Sequence, residues 1–161
     1  MKSDGLWKKM KFPLCILAAF LLAALWVGAG RILFGVFGWM AFITLFMFAP
    51  VIVVYGLILT IIVAIRQRTY RYRKWGPFMV SVVILLAALF CVGFFMPDAG
   101  DTKDSYKTAL AVILGNGNNL AVNGVSSVLV GWSIFITVVS SIATFVLAFA
   151  ERPKKSPAVK A

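Results

Sequence analysis

The chain has 161 residues, of which 62% are hydrophobic and 13% charged, whereas soluble globular proteins have about 45–50% and about 25%. A soluble fold of this size cannot bury so much apolar surface, so the composition excludes a soluble globular protein and predicts an integral membrane protein. The net charge of +11 would suit a nucleic-acid-binding protein, but the basic residues cluster between apolar runs, which indicates membrane topology instead.

The first two apolar runs predict two transmembrane helices. Residues 12–30 contain no charge, and at about 1.5 Å per residue they can cross a hydrocarbon core of about 30 Å. The next uncharged run is too long for one crossing and too short for two. We therefore assign 41–65 to the second span and 32–40 to a glycine-rich connector. Pro50 is expected to distort the second span near Phe46, because proline removes a backbone hydrogen bond.

Two further spans follow, at 77–96 and 128–150. No stretch alternates polar and apolar residues as the strands of a membrane barrel do. The sequence therefore predicts an all-α integral membrane protein, a bundle of four transmembrane helices that forms a single membrane domain over residues 1–161.

The segment 97–124 is the largest piece between predicted spans. Asp104 or Ser105 is expected to cap a short helix in it, and Gly115 to end that helix. Acidic residues of this segment could hold a cation such as calcium. Their spacing does not match a calcium-binding loop, so we expect a solvated loop. These residues are Asp98, Asp101 and Asp104.

The placement of basic residues predicts the orientation of the spans. Thirteen of the 16 basic residues lie in segments 1–11, 66–76 and 151–161, and the other three, Arg31, Lys103 and Lys107, are expected on the opposite side. Basic residues favour the cytoplasmic side. Both termini and the 66–76 loop are therefore predicted to be cytoplasmic and 97–124 to be outside, in a multi-pass protein of the cell membrane (a bacterial inner or plasma membrane).

The first span has an alternative interpretation as a signal peptide. Lysines precede the apolar run, and Val27-Gly28-Ala29 resembles a cleavage site. The apolar run is long for a signal peptide, which favours a retained span. Cleavage would leave three spans without inverting the others.

The loop after the second span is the most polar basic segment. Its basic residues would contact anionic lipid headgroups or a partner protein, although a loop that only sets the orientation is the simpler interpretation. We expect no contact with nucleic acid. The residues are Arg66, Arg68, Arg71, Arg73 and Lys74.

The fourth span carries a stripe of small hydroxyl residues within an arc of about 100° on a helix with 3.6 residues per turn. The stripe consists of Ser133, Thr137, Ser140, Ser141 and Thr144. Such residues allow helices to approach closely. We expect a helix-packing face, with a hydroxyl-lined pathway as the alternative. The first span has a small-residue series at Cys15, Ala19 and Ala23, which predicts that it packs against the fourth.

The chain has few residues of the types that form catalytic, cofactor or metal sites. The chain has no His, its two cysteines lie far apart in apolar runs, and the predicted span cores contain no Asp, Glu, Lys or Arg. Pumps and proton-coupled transporters usually have such side chains within the membrane. We expect no catalysis, cofactor or metal. The leading hypothesis is an accessory, assembly or regulatory subunit that binds other membrane subunits or itself. The alternative is a small homo-oligomeric channel or exporter that uses the hydroxyl stripe.

Overall fold

The computed structural model of the chain describes residues 4–36, 38–69, 76–98, 108–115 and 120–150. These residues form helices and connecting turns, and no strand occurs among them. The α-helices are α1 (Asp4–Ala29), α2 (Trp39–Ile43), α3 (Ala49–Thr69), α4 (Gly76–Phe95), α5 (Ala109–Ile113) and α6 (Leu120–Ala150). Four stretches of the described chain are long and apolar enough to cross a membrane: Lys11–Phe34, Trp39–Arg66, Gly76–Phe95 and Ala121–Phe149. The protein is therefore a multi-pass membrane protein.

The first span is longer than predicted, and the connector after it is shorter. A 3₁₀-helical segment, Gly30–Phe34, continues directly from α1. Gly35 then turns the chain with φ of +67°, a left-handed conformation that glycine adopts without steric cost. The predicted connector 32–40 is thus wrong at both ends, because its first residues belong to the first span and its last two, from Trp39 onward, to the second.

The second span contains the distortion that Pro50 predicts. It begins with α2, widens into a π-helical segment, Thr44–Phe48, and continues as α3. Proline has no N–H, and its ring clashes with the carbonyl four residues earlier, here that of Phe46. The wider π turn accommodates this loss without ending the helix.

The third span, α4, lies within one residue of its predicted bounds, whereas α6 begins at Leu120, well before the predicted start at 128. Between them, the Thr108 side chain caps the five-residue helix α5 by accepting a hydrogen bond from the Ala111 N–H at 3.1 Å. Gly115 follows α5 with φ of +69°. The predicted caps Asp104 and Ser105 lie outside the described residues.

The four spans pack as two helix pairs. The most extensive contacts join α4 to α6 and α1 to the second span, and α1 also packs on α4, whereas α3 and α6 touch little. The predicted pairing of the first and fourth spans is wrong: α6 packs on α4. Cys15, at the start of the small-residue series on α1, is exposed. The core combines Phe20 of α1 with Leu59 of α3 and Phe78 and Leu85 of α4.

The molecule has two ends, which we name by their arginines. At the Arg31 end, Arg31 contacts residues at the end of α4 and the start of the second span. At the Arg66 end, Arg66 NH1 donates a hydrogen bond to the Phe149 carbonyl at 2.7 Å, which brings the ends of α3 and α6 together.

Candidate functional site

Arg31 is the most unusual residue of the membrane-spanning helices. Its side chain is only 1% exposed. Its NH2 group donates hydrogen bonds to Thr44 Oγ1 at 2.6 Å and to the Met40 carbonyl at 3.0 Å, and NH1 lies 3.5 Å from the Met96 carbonyl. Arg31 therefore ties the first span to the start of the second and the end of the third. The positions of the basic residues placed Arg31 only on the side opposite the three basic segments, and they did not predict this burial.

Asp98 accompanies Arg31 at this end of the molecule. Its side chain is 2% exposed, and its carboxylate accepts hydrogen bonds from the Gly38 N–H at 2.6 Å and the Met40 N–H at 3.1 Å. Those N–H groups lie at the start of α2, where unpaired donors and the helix dipole favour a negative charge. Asp98 therefore caps the second span, and the expectation of a solvated Asp98 is wrong.

The two charges form a compensated cluster, which we call the Arg31 cluster: Arg31, Thr44, Asp98 and the backbone of Gly38, Met40 and Met96. Asp98 interacts electrostatically with Arg31, but its oxygens bond to backbone donors. The Nε atom of Arg31 is buried with no hydrogen-bond partner. A charged residue at membrane depth is costly unless it is paired, and it commonly marks a site of function. This cluster supplies bonds between spans.

A second polar group lies where α5 meets α6. The Thr108 hydroxyl is 3.2 Å from Ser126 Oγ and 3.5 Å from Asn123 Oδ1. All three side chains are buried. They attach the short helix α5 to the first turns of α6, and so they extend the ordered structure at the Arg31 end.

The hydroxyl stripe of α6 lies partly in a helix contact and partly beside a groove. Ser133, Ser140 and Thr144 are buried, and Thr144 Oγ1 lies 2.7 Å from Ser81 Oγ of α4. Thr137 and Ser141 are only half-buried. Each stripe hydroxyl lies within hydrogen-bond distance of the carbonyl four residues earlier. The stripe therefore offers few free polar groups, as expected for side chains that satisfy themselves within one helix.

A groove of about 410 Å³ separates the second span from α6. Phe48 and Ile52 line one wall and Val138 the other, with Leu89 of α4 at the floor. Beside it, Tyr55 OH donates a hydrogen bond to the Ser141 carbonyl at 2.7 Å, across the gap between α3 and α6. Because its lining is almost entirely apolar, the groove suits hydrocarbon rather than water or ions.

The predicted basic contact residues are described only in part. Arg66 hydrogen-bonds to the Phe149 carbonyl, and its guanidinium carbon lies 5.3 Å from the centre of the Phe149 ring. The side chains of Arg68, Arg71, Arg73 and Lys74 lie outside the described part of the chain.

The described residues offer no group of side chains suited to hold a metal ion. These residues contain no cluster of three or more His, Cys, Asp or Glu side chains. Cys15 and Cys91 are both free thiols. The Arg31 cluster and the groove are the described features that distinguish this bundle, and the function is argued from them.

The sequence did not predict the Arg31 cluster, because each of its two charged residues has a more ordinary interpretation. Arg31 directly follows an apolar run, and Asp98 follows Pro97, so both resemble loop residues. One signal was present: Arg31 is a single charge between two long uncharged runs, 12–30 and 32–65. No family model matches the chain, and neither a curated protein nor a solved structure is detectably similar to it.

Proposed function

We propose that the chain is a non-catalytic subunit of a larger membrane assembly, with an accessory, assembly or regulatory role. The observation that carries this proposal is that the chain's polar groups bond to one another. Those of the Arg31 cluster and of the hydroxyl stripe bond within and between the chain's own helices. Such groups stabilise a scaffold and leave little to bind or convert a polar substrate.

The outward surface supports the same proposal. α6 packs mainly on α4, and its other side exposes large apolar residues, among them Phe135, Val138 and Ile142. On the same helix, a Cβ atom added to Gly124 or Gly131 would meet no atom within 4 Å. Exposed glycines on a membrane helix permit close approach by another helix. This surface suits contact with other membrane subunits.

The orientation belongs to the proposal as well. The 13 basic residues of segments 1–11, 66–76 and 151–161 favour a cytoplasmic location for both termini, in the cell membrane. We propose that the Arg31 end faces outward, with the segment 97–124 on the same side. A cysteine introduced at Ser105, in a chain without Cys15 and Cys91, tests this orientation. Labelling only from the cytoplasmic side contradicts it.

A channel or exporter is the competing function. It would need polar groups along a continuous path, whereas the hydroxyls of α6 bond to their own backbone and the groove is apolar. We therefore favour the subunit. Purified protein that forms only homo-oligomers and transports a solute in liposomes would favour the channel instead.

Affinity purification in mild detergent with Gly131→Leu as the test variant examines the proposal directly. Because Gly131 is exposed and a Cβ atom there has open space around it, this variant should fold normally and disturb mainly contacts with another protein. We expect a second membrane protein to co-purify stoichiometrically with the wild type and to be depleted at least ten-fold with Gly131→Leu. Gly76→Leu serves as the matched control, because Gly76 also has open space around it but lies on α4.

A further inference from the structure

Three segments of the sequence carry a large excess of positive charge. Segments 1–11, 66–76 and 151–161 contain thirteen Lys and Arg residues and two acidic residues, and Arg66 begins the second of them. The three remaining basic residues are matched by three acidic ones elsewhere in the chain. The net charge of +11 therefore lies in these segments of the sequence, and a negatively charged surface would be its electrostatic complement.

Among these basic residues, Arg66 has a guanidinium whose contacts the structure describes. NH1 donates a hydrogen bond to the Phe149 carbonyl at 2.7 Å, and the guanidinium lies over the Phe149 ring at 5.3 Å. An arginine has five N–H donors. The hydrogen bond to the Phe149 carbonyl uses one of these donors. The guanidinium can therefore donate further hydrogen bonds while Phe149 holds it in place.

The position of Arg66 in the span determines what can reach those donors. Arg66 is the first charged residue after the uncharged run 32–65, and Phe149 lies two residues before Glu151, the first charged residue after the fourth predicted span. The boundary between hydrocarbon and headgroups lies at the ends of such spans. Arg66 is half-buried, so part of its side chain remains accessible there. The groups at that depth in a membrane are the phosphates of phospholipids.

We propose that Arg66 binds the phosphate of an acidic phospholipid at this boundary. The planar guanidinium presents paired N–H donors that match phosphate oxygens. Phe149 orients it through the ring and the carbonyl. The positive charge of Arg66, together with the basic residues that follow it in the sequence, favours a lipid with a net negative charge over a zwitterionic one. This site does not depend on whether the chain is a subunit of a larger assembly.

Binding of phosphatidylglycerol and phosphatidylcholine to the full-length protein in detergent, counted by native mass spectrometry, tests the proposal. The wild type should bind phosphatidylglycerol at least ten-fold more tightly than phosphatidylcholine at low salt. Arg66→Gln should weaken phosphatidylglycerol binding about fifty-fold: about five-fold from the lost juxtamembrane charge and about ten-fold from the lost charge-assisted hydrogen bonds. Equal affinity of the wild type for the two lipids overturns the proposal.

Lys11→Gln is the matched control, because Lys11 is exposed at the start of the first span and its loss removes the same charge. Lys11→Gln should weaken binding no more than about five-fold. Equal losses for the two variants mean a diffuse attraction without an Arg66 site, and they overturn the proposal. Inorganic phosphate at the lipid's concentration should not displace it. Complete displacement would identify a free-phosphate site instead.

Arg66→Lys covers the case in which Arg66→Gln fails to yield folded protein. Lysine keeps the charge and can reach the Phe149 carbonyl, but it lacks the planar pair of donors. We expect a loss of phosphatidylglycerol affinity of about ten-fold, with an unchanged elution volume in size-exclusion chromatography. Affinity equal to that of the wild type overturns the proposal.

Discussion

Arg31 donates a hydrogen bond to Thr44 across two spans at 2.6 Å, and both side chains are only 1% exposed. Thr44 is also the first residue of the π-helical segment, and its own hydroxyl lies within hydrogen-bond distance of the carbonyls of Met40 and Ala41. The arginine therefore fixes the turn at which the second span departs from regular α-helix. The charge stabilises the turn because Asp98 compensates it from the end of α4.

Removal of Arg31 should destabilise the protein strongly. Arg31→Met keeps much of the apolar stem but leaves Asp98 without its counter-charge, and breaking a buried pair in this way costs about 3–5 kcal/mol. A loss of about 3 kcal/mol lowers the Tm of a chain of this size by at least about 6 °C. The measurement is thermal unfolding of the full-length protein in detergent. The exposed Lys11 provides the control, since Lys11→Met should stay within about 0.5 kcal/mol of wild type.

Arg31 and Asp98 should also be energetically coupled. Asp98→Asn removes the charge and keeps one acceptor oxygen, which can accept from only one of the N–H groups of Gly38 and Met40. If the two charges compensate each other, the double variant Arg31→Met/Asp98→Asn should be more stable than the sum of the single effects predicts, by about 0.5–3 kcal/mol. A double-mutant cycle on thermal unfolding measures this term. Strictly additive effects would show that Asp98 acts only as a helix cap.

The contact between α1 and α3 should depend on the absence of a side chain at Gly56. A Cβ atom there would lie 2.5 Å from the Phe20 Cβ, and Phe20 is fully buried and cannot move aside easily. Gly56→Ala should therefore cost about 1–3 kcal/mol, as overpacking of a core usually does. Gly131→Ala is the matched control, because a Cβ there has open space. It should be neutral or stabilise the helix by up to about 1 kcal/mol. The reverse order of thermal stability would contradict the described packing of α1 on α3.

The four spans were predictable because each depends on one local property, a long run of apolar residues without charge. The position of the π turn was predictable because its cause is also local: Pro50 lies about one helix turn after the Phe46 carbonyl, which it deprives of a hydrogen-bond donor. The partner of α6 was not predictable in this way. Small residues occur on α1 as well as on α6, and a stripe shows that a helix packs closely without showing on which neighbour.

The Arg31 cluster depends on contacts that are distant in sequence, which explains why composition and spacing did not predict it. Arg31 and the Met96 carbonyl are 65 residues apart, and Gly38 and the Asp98 carboxylate 60. A charge at the end of an apolar run is usually placed in the headgroup region by sequence reasoning. Only the folded chain shows that other parts of the chain provide the carboxylate and the carbonyls that stabilise the buried Arg31 guanidinium.

A larger side chain should be tolerated at some positions of the hydroxyl stripe of α6 and not at others. Ser140 is 6% exposed against α4, whereas Thr137 is half-buried beside the groove. Ser140→Leu should therefore lower thermal stability by about 1–3 kcal/mol through overpacking, while Thr137→Leu should be tolerated, because its added atoms can occupy the groove.

Alanine at the same positions should be mild, because each hydroxyl bonds mainly within its own helix. Thr144→Ala should cost more than Thr137→Ala, since Thr144 alone of the stripe hydroxyls contacts Ser81 across the helix pair, and such bonds in membranes average about 0.6 kcal/mol. Thermal unfolding and size-exclusion chromatography of the alanine and leucine series compare all these variants. If Ser140→Leu and Thr137→Leu are equally stable, Ser140 does not lie in a tight α4–α6 contact. If the alanine variants stay folded but change solute flux in liposomes, the hydroxyl stripe is a pathway.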